Sequence, residues 1–99
     1  MPGVIDEGST VVAASNQLSS RLGDDAVVLE LGRGIYYGLN EVAALVWSLL
    51  KEPRPVTELR DAVVAAYDVE PERAMHDLLR LLNELADHGL IEVPGGASP

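Results

Sequence analysis

The chain has 99 residues, a length that suits one domain around one core, and its 47% hydrophobic content excludes wholesale disorder. It has no cysteine, which removes disulfides, Cys-ligated zinc and thiol nucleophiles. With 16 acids against 7 Lys and Arg the net charge is −9, which disfavours nucleic acid and anionic membranes as partners, because a phosphate surface selects a cationic face.

The cations Arg21, Arg33, Lys51, Arg54, Arg60, Arg73 and Arg80 are scattered among acids and form no cluster. The start, Met1 to Glu7, lacks the basic and apolar regions of a signal peptide. No apolar run approaches the ~20 residues of a membrane span. A cytoplasmic protein is expected. Residues 1–8 and 94–99 read as flexible ends around one domain at 9–93.

In chain order, Ser9 to Ala14 is rich in β-branched residues and reads as a strand. Ser15 to Asp25 is polar and reads as a loop. In Val27 to Leu31 the apolar Val27, Leu29 and Leu31 share one face, with Val28 and Glu30 on the other. Gly32-Arg33-Gly34 marks a tight hairpin, since glycine tolerates the positive φ that such turns need. Ile35-Tyr36-Tyr37-Gly38-Leu39 is the returning strand.

Three helices follow. Asn40 is a good N-cap for the first, whose stripe is Val42, Leu45, Val46, Leu49 and Leu50, with Lys51 in the last turn and Pro53 and Pro55 as the stop. Thr57 is placed to cap the second, with Leu59, Ala62, Val63, Ala66 and Tyr67 along its stripe. Pro71 suits the first turn of the third. Gly89 suits its C′ position, and Leu90 the hydrophobic contact of a Schellman ending. Leu90 to Val93 is a short extended end. Strands followed by helices argue an α+β fold, not a parallel βαβ one.

No catalytic constellation emerges, and no enzyme is expected. His76 and His88 are twelve residues apart on one helix, so about 18 Å separates them along the axis and they share no metal. Solvation for His76 and a helix C-terminal position for His88 are the plainer readings. Ser15, Ser19 and Ser20 have no neighbouring base. Asp24-Asp25 looks like turn chemistry. Neither cofactor nor metal is implied.

Three features remain. The third helix is apolar over about 160°, wider than the ~100° that one-sided packing needs. The surplus falls at a margin, taken as Met75, Leu79 and Ala86, which would line a groove; the plainer reading is a long helix wrapped in a small core. Tyr36 and Tyr37 are adjacent on a strand, so one faces in and one out. The last strand has an open edge unless something covers it, and open edges are where extended peptides add.

At this point the residues resemble a family. The run from Val28 to Trp47, with Tyr36-Tyr37-Gly38-Leu39-Asn40 turning into a helix, is similar to the PqqD-like proteins. Val56-Thr57-Glu58-Leu59, Tyr67-Asp68-Val69, Asp77-Leu78-Leu79 and Gly89-Leu90-Ile91 continue the match, over roughly residues 9–93. These are RiPP recognition elements. The resemblance implies a three-stranded antiparallel sheet followed by three helices, winged helix-turn-helix-like. It implies non-catalytic binding of the leader peptide of a ribosomally made precursor, as an added strand beside the third strand, in a cleft closed by the third helix. The short free-standing form looks most like the recognition protein of lasso-peptide pathways, which would deliver the leader to a separate cysteine leader peptidase and a cyclase.

On that basis Gly34, Ile35, Tyr36, Tyr37, Gly38 and Leu39 would supply the peptide edge, with Gly34 and Gly38 allowing close approach of another backbone. Met75, Leu78, Leu79 and Leu82 would form the groove wall, and His76 and Asp77 its polar rim. Trp47 is taken as core, with part of a docking surface for the peptidase as the alternative. The excess of acid favours a leader with Lys or Arg. Rival readings are a PqqD-type chaperone for a radical-SAM enzyme and a winged-helix DNA-binding domain. The second needs a cationic recognition helix, whereas the third helix sets Glu70, Glu72, Asp77, Glu84 and Asp87 against Arg73 and Arg80. A monomer is expected, with self-pairing through the open edge as the alternative.

Overall fold

The computed structural model describes residues 5–94. Its elements are β1 (Thr10–Ala13), β2 (Gln17–Leu22), β3 (Asp25–Glu30), β4 (Ile35–Leu39), α1 (Glu41–Leu49), β5 (Arg54–Pro55), α2 (Val56–Tyr67), α3 (Pro71–Asp87) and β6 (Ile91–Glu92). The α+β class and the antiparallel meander leading into three helices are as expected.

The composition of the sheet is not. The meander is β2-β3-β4, and β1 lies in a second small sheet between β5 and β6. The expected loop at Ser15–Asp25 therefore contains a strand. Its side chains are almost all exposed, so it carries no buried alternation to read. What makes it a strand is its backbone pairing with β3, from Gln17 opposite Glu30 to Leu22 opposite Asp25. Gly23, at φ +66, takes the first central position of the two-residue turn, where only glycine is unstrained.

The alternation in β3 holds, but the buried face is the other one. Ala26, Val28 and Glu30 point inward and are buried, while Val27 and Leu29 are only half-buried on the outer face. Leu31 falls in the turn. β4 places Tyr37 opposite Val28 and Leu39 opposite Ala26 on the inner face, and Tyr36 opposite Leu29 on the outer one.

The small sheet closes the molecule. β1 pairs with β5 ahead of α2 and with β6 after α3, and Ala13 N–H donates to the Leu50 carbonyl at 2.8 Å. The core under both sheets is aliphatic, with Val11, Val28, Val46, Leu50, Val56, Leu59, Leu82 and Leu90 fully buried and Trp47 nearly so. Ile5 is also buried, so the expected flexible start does not extend that far. Of the two expected flexible ends, residues 1–4 and 95–99 lie outside the described residues.

The helix ends follow local chemistry. The Asn40 side chain accepts from Ala43 N–H at 2.9 Å, the expected cap of α1. Arg54, not Lys51, serves the other end, donating to the Leu49 carbonyl at 2.9 Å. Thr57 does not cap α2, which already begins at Val56 after Pro55. α3 begins on Pro71 and ends in a Schellman motif: Gly89, at φ +74, donates to the Ala86 carbonyl, and Leu90 donates to that of Leu85, both at 3.0 Å. That ending reverses the chain, so that β6 returns to β1 and α3 is fixed beneath the sheet.

Candidate functional site

β4 is an edge strand, paired with β3 on one side only. Beside it runs a groove of about 820 Å³. Tyr37, Gly38 and Leu39 form one side of it; Ala74, Asp77, Leu78, Leu81, Glu84 and Leu85 of α3 form the other. Val42 and Val46 of α1, with Val63 and Tyr67 of α2, make an apolar end. The site thus combines an unpaired backbone edge with an apolar wall at side-chain distance, the two components that strand addition uses.

Polar groups rim the groove. Arg73 Nε lies 3.6 Å from Asp77 Oδ2, both largely exposed, a pair worth little to stability. Burial raises the Tyr67 hydroxyl above its ordinary value, and the charge of Glu41 beside it and a hydrogen bond to that carboxylate add to the rise. Outside the groove, at the start of the β3–β4 turn, lies Glu30, a buried acid. Its carboxylate accepts the main-chain N–H groups of Gly32 and Arg33, each at 2.9 Å, and Arg33 Nε at 3.3 Å. The Arg33 main-chain hydrogen bond is the largest cause of a pKa held below the ordinary one; burial opposes it, and Gly32 and the Arg33 side chain reinforce it. The His88 and Tyr37 rings meet at 4.7 Å between centroids.

The residues singled out from sequence divide. Tyr37, Gly38, Leu39, Asp77 and Leu78 come together on the groove. Ile35 and Tyr36 belong to the same strand, but Tyr36 is 69% exposed on the outer face. Gly34 sits in the turn at φ +70, so its glycine serves the turn and not a close approach. A Cβ on Gly38 would meet nothing within 4 Å, so that position is open. Met75 and Leu82 are buried in the core and do not line the groove. Leu79 is half-buried against the core, away from the groove, and His76 is exposed. The groove therefore uses the other margin of α3, at Leu81, Asp77 and Glu84. Helical periodicity defines the apolar arc, but which margin meets β4 depends on how the helix is rolled against the sheet. Arg33, His88 and Tyr67 join the site only through the fold, since Arg33 and His88 are 55 residues apart in sequence. Among the described residues no group of three His, Asp or Glu side chains is placed to hold a metal ion, and no helix is long and apolar enough to cross a membrane.

Comparison with known proteins gives three findings. Residues 25–91 match the family model described as coenzyme PQQ synthesis protein D (PqqD). No curated protein matches significantly. Among solved structures, TbiB1 in complex with the TbiA(beta) leader peptide is 33% identical, with a TM-score of 0.76, covering 88% of this chain and 99% of that one. The solution structure of the PqqD truncation of Methylobacterium extorquens PqqCD, a stand-alone RiPP recognition element, is 20% identical, with a TM-score of 0.72, covering 90% and 96%. The second likeness concerns the fold.

Proposed function

Because the chain belongs to the PqqD family, we propose that it is a non-catalytic recognition element that binds the leader peptide of a ribosomally made precursor. The leader adds as a strand to the free edge of β4, with alternate side chains packed toward α3. The observation that carries this reading is the edge of β4 standing open beside the groove. The match to TbiB1, whose solved complex contains a leader peptide, supports it.

Gly34 to Leu39 supply or flank the main-chain edge. Leu78, Leu81, Leu85 and Ala74 hold the alternate side chains, and Asp77 contacts the rim. Met75, Leu79, Leu82 and His76 have no part in it, because they face elsewhere.

The leader is then handed to a second protein, for which a separate cysteine leader peptidase of lasso-peptide maturation is the favoured partner, with a cyclase acting after it. The outer face of the sheet supports a second contact. There Leu18, Leu29 and Tyr36 form one cross-strand row, and Leu18 and Tyr36 are 61% and 69% exposed. Exposed apolar rows of this kind mark interaction surfaces. The higher identity to TbiB1 than to the PqqD domain favours a pathway other than coenzyme PQQ synthesis.

The test is capture of linear peptides. Wild-type protein is titrated into labelled TbiA(beta) leader and used to select from displayed random linear peptides. Saturable binding, with protection of β4 amides from hydrogen exchange, is expected. Binding that leaves the β4 amides unprotected would reject strand addition.

A further inference from the structure

At the end of the groove nearest the β3–β4 turn, one side chain ties together two of its lining residues, Tyr37 and His88. Arg33 lies in that turn. Its Nε donates to Glu30 at 3.3 Å, and its Nη2 donates to the Tyr37 hydroxyl at 3.3 Å and to the main-chain carbonyl of His88 at 3.1 Å. His88 caps the C-terminal end of α3, and its ring rests against that of Tyr37 at 4.7 Å. One guanidinium therefore links the turn, a groove-lining tyrosine and the last turn of the helix opposite. Among the described residues no other side-chain hydrogen bond links the β3–β4 hairpin to α3.

Strand addition has a register problem that this network answers. Main-chain groups repeat at every residue, so a peptide paired with β4 can slip by two residues, about 7 Å, and keep the same face inward. A fixed feature at one end of the groove breaks that degeneracy.

We propose that Arg33 is a positioning residue for peptide capture: by holding Tyr37 and the end of α3 together it closes one end of the groove and sets the register of the added strand. This rests on the strand-addition reading above. The geometry requires arginine. A planar fork reaches the carboxylate, the hydroxyl and the carbonyl at once, whereas the single ammonium of lysine does not span them. The Arg33 side chain is 56% exposed, so its pairing with Glu30 contributes little to stability, and its effect belongs to the shape of the groove.

The test uses the full chain, labelled with ¹⁵N, and the TbiA(beta) leader peptide carrying a nitroxide at one end. Anisotropy gives affinity, and amide broadening gives register. In the wild type, broadening is expected at one end of β4 only. Arg33→Ala should weaken binding about tenfold and spread the broadening along the strand, with the thermal midpoint unchanged. Arg33→Lys should behave like Arg33→Ala. Tyr37→Phe keeps the ring contact with His88 and should fall between.

Unchanged affinity and one-ended broadening in Arg33→Ala overturn the proposal and leave strand addition intact. So does full rescue by lysine, or a loss of affinity that only tracks a lowered thermal midpoint. If neither the TbiA(beta) leader nor any peptide selected from a random library binds the wild type, strand addition and the register role fall together.

Discussion

The two margins of α3 have the same helical spacing and opposite fates. On one margin Leu81, Asp77 and Glu84 line the groove, with Leu81 also resting in part against the core. On the other, Leu79 packs against the core and Asn83 clasps the N-terminal segment. The Asn83 amide accepts the Ile5 N–H at 3.0 Å and donates to the Ile5 carbonyl at 3.1 Å and to that of Leu79 at 2.8 Å. It pairs with Ile5 much as a neighbouring strand would, and Ile5 is buried as a result. The back margin is satisfied within the chain; the front margin faces the groove. The surplus apolar arc thus has two causes, one for each side.

The comparison is broken most severely at the centre, where Leu82 supports both margins at 0% exposure. Leu82→Ala should destabilise the protein by about 2–5 kcal/mol, read by urea unfolding, through lost burial and the cavity left behind. Peptide affinity among the molecules still folded should change little.

A paired substitution sharpens the contrast between the margins. Leu81→Glu places a charge on the groove wall and should weaken peptide binding by about tenfold or more, about 1.4 kcal/mol, beyond what its partial contact with the core costs in stability. Leu79→Glu should do the reverse, lowering stability by about 1–3 kcal/mol while affinity stays near that of the wild type. Anisotropy and urea titration on both variants decide the matter. Equal losses of affinity would erase the distinction between front and back.

A smaller effect isolates the back margin. Asn83→Ala removes the amide that satisfies both main-chain groups of Ile5, and should cost about 1–2 kcal/mol of stability with affinity unchanged. Hydrogen exchange at Ile5 should rise in the same variant.

Much of this architecture is legible in the sequence. Asn40, Pro71, Gly34 and Gly89 each mark a backbone conformation with a local cause, and each stands where its chemistry predicts. The edge strand at Ile35–Leu39 is legible from its place between a hairpin and a helix cap. β2 is not, because Leu18, Ser19, Ser20, Arg21 and Leu22 are all exposed and the strand exists only through its ladder with β3. The buried face of β3 is read wrongly for a related reason. Glu30 looks like an outward residue, yet it is buried, because the turn supplies two N–H donors to its carboxylate. On the candidate site, Asp77 and Leu78 are legible, but the choice of Met75 and Leu79 over Leu81 reverses the roll of the helix. Contacts between residues far apart in the chain accompany that roll, Asn83 with Ile5 on the back margin and Arg33 with His88 at the helix end.

The smallest expected effect concerns Glu30 and is read in acid. Its carboxyl is held below the ordinary value of 4.5, first by the Arg33 main-chain N–H and, against burial, by that of Gly32 and the Arg33 side chain. A depressed folded-state pKa contributes stability that is fully present above the unfolded value and is lost as pH falls through the folded one. Stability should therefore decline below about pH 4.5, in part because protonating Glu30 releases the turn that carries Arg33. Glu30→Gln retains a carbonyl acceptor for one of the two N–H groups but removes the charge. Its stability at neutral pH should be lower than that of the wild type, and its decline below pH 4.5 shallower, so that the two curves converge in acid. Urea midpoints across that range supply the measurement. Parallel curves would mean that the Glu30 charge is not coupled to folding, and that the turn holds its shape at the closed end of the groove without it.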